Sequence, residues 1–137
     1  LTGMHDKISV QDFGIDNITA ADGLAVGTPS SFVGKMMDNL LAGIYTVNDD
    51  VLFDLLKVLK DSEGFELEPS ALAGFPGVAK LFKHKNAMGY IEKNNLDNKL
   101  ENSAHIVWAT GGSMVPSKIK EDYYKKGKEI VKKDDME

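Results

Sequence analysis

Residues 103–116 read SAHIVWATGGSMVP, an apolar run that ends in Gly111-Gly112. Its β-branched and aromatic side chains favour a strand. A run without polar alternation is typical of a strand buried on both faces of an α/β sheet. Thr110 then stands at the carboxyl end of this strand, where open α/β sheets bind their ligands. Two interpretations remain open at this point: a ligand site, or a strand end followed by a glycine turn.

Apolar segments and helical patterns alternate along the rest of the chain. The patterns predict strands at residues 7–11, 44–47, 66–70 and 104–109. They predict helices from Ser30 or Ser31 to Gly43, from Asn48 to about residue 62, over 71–82, over 87–93 and from Pro116 onward. This alternation indicates an α/β fold, a partial parallel sheet with flanking helices. Such a sheet has open edges, so we expect more chain or self-association to cover it.

The bulk composition excludes several classes of function. The 137 residues, 42% hydrophobic and 27% charged, have ordinary globular composition and suit a single unit over residues 1–137. A net charge of -5 argues against a nucleic-acid partner, and no apolar run has the ~20 residues of a membrane span. The absence of cysteine fits a cytoplasmic protein without disulfides. Because the sequence begins at Leu1, we expect it to be a piece of a longer protein.

Acidic side chains offer few metal-ligand candidates. Asp49 and Asp50 follow Asn48 at the start of a predicted helix, where their negative charges interact favourably with the positive end of the helix dipole. This interpretation is preferred to that of metal ligands. We therefore predict no metal site in this chain. Glu68 ends a predicted apolar strand, so its carboxylate is expected to be either exposed or partnered, since a buried unpaired charge is costly.

Three segments, taken in order, resemble the C-terminal part of the D-serine dehydratases (D-serine ammonia-lyases). They are residues 19–27 (TAADGLAVG), 67–74 (LEPSALAG) and 105–116 (HIVWATGGSMVP). The resemblance also includes residues 8–12 and Asp16-Asn17, so it spans nearly the whole chain. These enzymes belong to the tryptophan-synthase-β-like (fold type II) pyridoxal-phosphate enzymes. The resemblance implies the C-terminal portion of their large domain, and β-elimination that converts D-serine to pyruvate and ammonia.

The resemblance also implies roles for five residues around the cofactor pyridoxal 5'-phosphate. Thr110 would place its hydroxyl at the pyridine nitrogen, with Gly111 along the ring edge. Gly27 would lie in a loop facing the ring, and Glu68 and Ser70 would lie near the cofactor. Each of two residues has an alternative to its cofactor role. The Thr110 hydroxyl could bond only to nearby backbone, and the Glu68 carboxylate could pair with a surface lysine.

Other parts of such an active site are missing from this sequence. The family's lysine, which forms the Schiff base, lies in a Ser-x-Lys context, and no lysine here has that context. That lysine, the phosphate-binding glycine loop and a possible monovalent-cation site are expected upstream of Leu1. We therefore expect this fragment to contain no catalytic residue and to be inactive alone. The alternatives are a fragment of another fold type II lyase, acting on threonine or diaminopropionate, and a non-catalytic α/β module.

Overall fold

The computed structural model describes residues 3–134, and the chain divides into two compact units, Leu1–Thr46 and Val47–Glu137. The regular structure of the described residues is helical. The first unit consists mostly of turns, whereas the second consists mostly of helices.

The first unit combines three short 3-10 helices with one α-helix. The 3-10 helices span His5–Lys7, Gln11–Phe13 and Asp22–Leu24, and α1 spans Ser31–Met37. The α-helix begins where the sequence predicts, because the Ser30 side chain accepts a hydrogen bond from the Val33 amide (3.5 Å). It ends well before the predicted end at Gly43.

The second unit is organised around α2, which spans Asp49–Glu63. Both ends of this helix confirm the sequence prediction. The Asn48 side chain accepts a hydrogen bond from the Val51 amide (3.1 Å), and Gly64 ends the helix with a left-handed φ of 72°. The buried face of α2 carries Leu52, Phe53 and Leu56.

The final helix, α6, spans Ser117–Asp134 and packs against α2. Gly127 allows a close approach, since a Cβ atom there would collide with the Phe53 carbonyl oxygen. The Phe53 and Tyr123 rings lie 5.8 Å apart between centroids. The Tyr124 hydroxyl donates a 2.7 Å hydrogen bond to Asp61. Apolar packing and polar contacts, including the Tyr124–Asp61 hydrogen bond, therefore join the two long helices.

Charged side chains surround the Tyr124 contact. The Tyr124 hydrogen bond lowers the pKa of Asp61, and Lys57, 3.2 Å away, acts in the same direction. The Lys60–Glu66 ion pair raises the pKa of Lys60 and lowers that of Glu66. Lys60 also lies 4.9 Å from the centroid of the Tyr124 ring. The outer surface of the helix pair is thus a set of solvated contacts, which individually contribute little to stability.

Three shorter helices complete the second unit. They are α3 (Pro69–Leu72), α4 (Pro76–Lys83) and α5 (Lys85–Lys93), followed by a 3-10 helix over Asp97–Asn102. The single helix predicted over 71–82 is therefore two helices, because Gly74 and Pro76 interrupt it. The largest fully buried side chains are those of Leu52, Leu72 and Pro69, so the core lies where α3 packs against α2.

The predicted α/β fold with a partial parallel sheet is wrong, because residues 3–134 contain no strand. The segments predicted as strands, 44–47, 66–70 and 104–109, are irregular or, from Pro69, helical, and 7–11 contributes to two 3-10 helices. Apolar composition favours a strand only where a neighbouring strand satisfies its backbone. In the 104–109 segment Ile106 and Trp108 are 89% and 82% exposed, so this run is not buried on both faces.

Candidate cofactor-contacting site

The start of α3 fixes the position of Glu68 and Ser70. Glu68 is the N-cap residue with extended backbone (φ −111°, ψ 161°), and Pro69 restricts the first turn that follows. Pro69, Ser70 and the two residues after them are buried, whereas Glu68 is half-buried. The backbone of Glu68 is thus anchored by a buried turn, and Ser70 belongs to the interior.

The turn at Gly111-Gly112 packs directly against this segment. A Cβ atom on Gly111 would lie 2.5 Å from Glu68 Oε1, and one on Gly112 would lie 2.5 Å from Leu67 Cα. Gly112 also has a φ of +133°, which side-chain-bearing residues rarely adopt. Contact with Leu67 and Glu68 of the same chain therefore explains the need for glycine at both positions.

Thr110 precedes this glycine pair and is exposed. Within residues 3–134, neither its hydroxyl nor the Glu68 carboxylate takes part in a hydrogen bond or ion pair. The backbone bond considered for Thr110 and the lysine partner considered for Glu68 are thus not formed among these residues. Both groups remain available to a ligand.

Gly27 lies in the first unit, in a loop held by the segment before it. The Val10 amide donates a 2.8 Å hydrogen bond to the Gly27 carbonyl oxygen. The side chain of Asn17 donates a 3.0 Å hydrogen bond to the Ala25 carbonyl oxygen. A Cβ atom on Gly27 would make only ordinary contacts, 3.7 Å from both Asn17 Nδ2 and Gln11 Oε1. The chain itself therefore leaves room for a side chain at position 27.

The structure brings three of the five predicted site residues into one place. Glu68 contacts Gly111, and Thr110 directly precedes Gly111 in the chain. Ser70 lies two residues after Glu68, in the buried start of α3. Gly27 belongs to the other compact unit. Sequence reasoning missed Asn17 as the residue that holds the Gly27 loop. The only local signal was that asparagine tolerates left-handed backbone, which Asn17 adopts with a φ of 63°.

These residues fit the ring end of pyridoxal phosphate in their chemistry. Thr110 offers an exposed neutral hydroxyl, which both donates and accepts hydrogen bonds. The Glu68 carboxylate adjoins the same turn and is an acceptor without a partner among the described residues. Thr110 and Glu68 supply polar contacts for a ring, but the sequence has no lysine in the family's Ser-x-Lys context.

The described part of the chain offers neither a metal-binding cluster nor a membrane-spanning helix. No group of three or more His, Cys, Asp and Glu side chains with a metal-binding arrangement occurs in residues 3–134. Over the same residues, none of the helices has both the length and the apolar character that crossing a membrane requires.

The relatives of this chain that are described below all carry the same name. No family model matches the chain. Proteins named probable D-serine dehydratase match 95–96% of it: 52% identity in Geobacillus kaustophilus, 56% in Bacillus cereus (strain G9842) and 54% in Chromobacterium violaceum. The chain spans only 29–30% of the length of these relatives. The predicted resemblance is thus confirmed: this chain is similar, over nearly all of its length, to one part of the D-serine dehydratases.

Proposed function

We propose that this chain forms the C-terminal, ring-contacting part of a D-serine dehydratase, which converts D-serine to pyruvate and ammonia. The observation that carries this proposal is 52–56% identity over 95–96% of the chain to proteins named probable D-serine dehydratase. The exposed hydroxyl of Thr110, beside a carboxylate and a close-packed glycine turn, supports it. The substrate is D-serine, and the compartment that the cysteine-free sequence favours is the cytoplasm.

Pyridoxal phosphate, when bound, supplies the electron sink that elimination requires. In this proposal Thr110 binds the pyridine nitrogen through Oγ1 and keeps its own proton, because a hydroxyl is a far weaker acid than a carboxyl group. The contact is therefore neutral, unlike the ion pair that an aspartate at this position would form. A neutral contact favours prompt loss of the substrate hydroxyl over side reactions such as transamination.

Glu68 and Gly27 have different roles in this proposal. Glu68 borders Gly111 and holds the Thr110 turn in place, or accepts a hydrogen bond from the ligand or from ordered water. The buried Pro69 turn anchors the backbone of Glu68 and supports such a role, since groups that position a ligand work best on rigid elements. Gly27 faces the ring and, because it has no side chain, leaves space for it. Ser70 supports the Glu68 turn from the interior.

The remaining active-site groups lie outside this sequence in our proposal. They are the lysine that anchors the cofactor, the phosphate-binding glycine loop and any monovalent-cation site. Consequently the isolated chain releases no pyruvate from D-serine, and a measured turnover by the 137-residue chain alone would contradict this division of the active site.

The proposal is tested with a hybrid enzyme, in which this chain replaces the matching 131 residues of the Bacillus cereus relative. We expect the hybrid enzyme to bind pyridoxal phosphate and to form pyruvate from D-serine. Pyruvate is measured by coupling to lactate dehydrogenase, and folding is checked by thermal denaturation. A hybrid enzyme that folds and binds the cofactor but does not act on D-serine would overturn the proposal.

A further inference from the structure

Asn17 combines left-handed backbone with a side-chain hydrogen bond to a distant residue. Its backbone is left-handed, with a φ of 63°, a conformation that costs most side-chain-bearing residues energy. Its side chain is half-buried and donates a 3.0 Å hydrogen bond to the Ala25 carbonyl oxygen, eight residues away. Because asparagine adopts this conformation more readily than most residues, the hydrogen bond to Ala25, and not the backbone alone, distinguishes Asn17.

The two hydrogen bonds to the Gly27 loop come from one segment. Val10 binds the Gly27 carbonyl oxygen through its amide, and Asn17 binds the Ala25 carbonyl oxygen through its side chain. The turn between them is closed by Phe13 and Ile15, whose amides both donate to the Val10 carbonyl oxygen (3.1 and 3.2 Å). The path of residues 25–27 is thus set from outside the loop, and Asn17 supplies the contact that depends on a side chain.

Asn17 also borders Gly27 itself. Its Nδ2 atom lies 3.7 Å from the position that a Cβ on Gly27 would take. A shift of the Asn17 amide therefore changes both the carbonyl direction at residue 25 and the space beside Gly27.

From these contacts we infer that Asn17 is a positioning residue, which fixes the path of residues 25–27 without contacting the reacting atoms. This inference rests on the proposed function, because it assumes that Gly27 faces the cofactor. Small misplacements of positioning elements reduce turnover strongly, so we expect loss of the Asn17 amide to lower kcat by about tenfold.

The test uses Asn17→Asp in the hybrid enzyme, which removes the amide donor while keeping the size of the side chain. Asn95→Asp is the matched control, because Asn95 also has left-handed backbone (φ 53°) but is exposed and its side chain forms no hydrogen bond within residues 3–134. We measure kcat and KM for D-serine and the visible circular dichroism of the bound cofactor. Asn17→Asp is expected to lower kcat about tenfold and to change the dichroism band, whereas Asn95→Asp leaves both unchanged.

Asn17→Gly provides a second variant, because glycine keeps the left-handed backbone and removes only the side chain. It should reproduce the kcat and dichroism changes with a thermal midpoint close to that of the parent. Equal kcat and dichroism in Asn17→Asp and Asn95→Asp would overturn the inference, as would unfolding of both Asn17 variants, which would make the role structural. An unmodified hybrid enzyme that does not act on D-serine would instead overturn the proposed function, so the two failures are distinguishable.

Discussion

Gly27 and Gly111 carry the same predicted role, contact with a cofactor ring, but their surroundings differ. At Gly111 and Gly112 a Cβ atom would lie 2.5 Å from atoms of Glu68 and Leu67, so the chain itself needs glycine there. At Gly27 the nearest atoms would be 3.7 Å away, so the chain would accept alanine. A glycine beside a proposed ligand is therefore evidence for that ligand only where the chain does not already require it.

The largest effect is expected for Gly112→Ala. The added methyl group would meet the Leu67 backbone, which cannot move aside easily, and the φ of +133° adds strain. We expect the free energy of unfolding of this chain to fall by about 3 kcal/mol in urea denaturation. The control is Gly89→Ala in α5, which has open space around its Cβ position and should be neutral or stabilising. Equal midpoints for the two variants would refute the close packing at Gly112.

Gly111→Ala should be less damaging, by about 1 kcal/mol, because the atom it meets is the end of a flexible Glu68 side chain. Glu68→Ala in the same background should remove the clash. A double-mutant cycle measures this coupling. Additive free energies of unfolding would show that Glu68 and Gly111 do not interact.

The contact between α2 and α6 offers a test by pH. The Tyr124 hydrogen bond lowers the pKa of Asp61 from its ordinary value of 3.8, so this contact stabilises the fold above that pH and is lost on acidification. Tyr124→Phe should lower the Tm slightly at neutral pH, because the contact is exposed to solvent. Its difference from the parent should shrink as the pH falls through the lowered pKa of Asp61.

Tyr90→Phe is the control for this experiment, because Tyr90 is exposed and its hydroxyl makes no hydrogen bond within residues 3–134. It should leave the Tm unchanged at both pH values. A Tm difference between Tyr124→Phe and the parent that grows in acid would contradict the assigned contact.

The smallest effect on stability is expected for Gly27→Ala. Ordinary contact distances predict a change within about 0.5 kcal/mol in this chain. In the hybrid enzyme the same change should weaken cofactor binding or turnover, because the methyl group would enter the space assigned to the ring. Full activity of Gly27→Ala would show that this loop does not face the cofactor.

The sequence predicts those elements whose signals are local. The Asn48 cap, the Gly64 end of α2 and the Ser30 cap of α1 each depend on a few adjacent residues, and all three occur as predicted. The segment 104–109 has a strong preference for strands, but a strand also needs a hydrogen-bonded neighbour, and the described residues provide none.

The candidate site shows the same limit. Family resemblance identifies Glu68 and Thr110 as candidate residues. It does not predict that Gly111 packs on Glu68, because these residues are 43 positions apart and neither local pattern depends on the other. The sequence also does not predict the hydrogen bond from Asn17 to residue 25, since an isolated asparagine is typical of any turn.

The central claim, that Thr110 contacts the cofactor ring, is tested most directly by comparing Thr110→Ser and Thr110→Ala in the hybrid enzyme. Serine keeps the hydroxyl and alanine removes it, while Thr46→Ala controls for loss of an exposed threonine elsewhere. The measurement is the visible absorbance of the bound cofactor together with pyruvate formation from D-serine. We predict that Thr110→Ser and Thr46→Ala resemble the parent, whereas Thr110→Ala shifts the absorbance and loses most turnover. Identical spectra and rates for Thr110→Ala and Thr110→Ser would contradict the account.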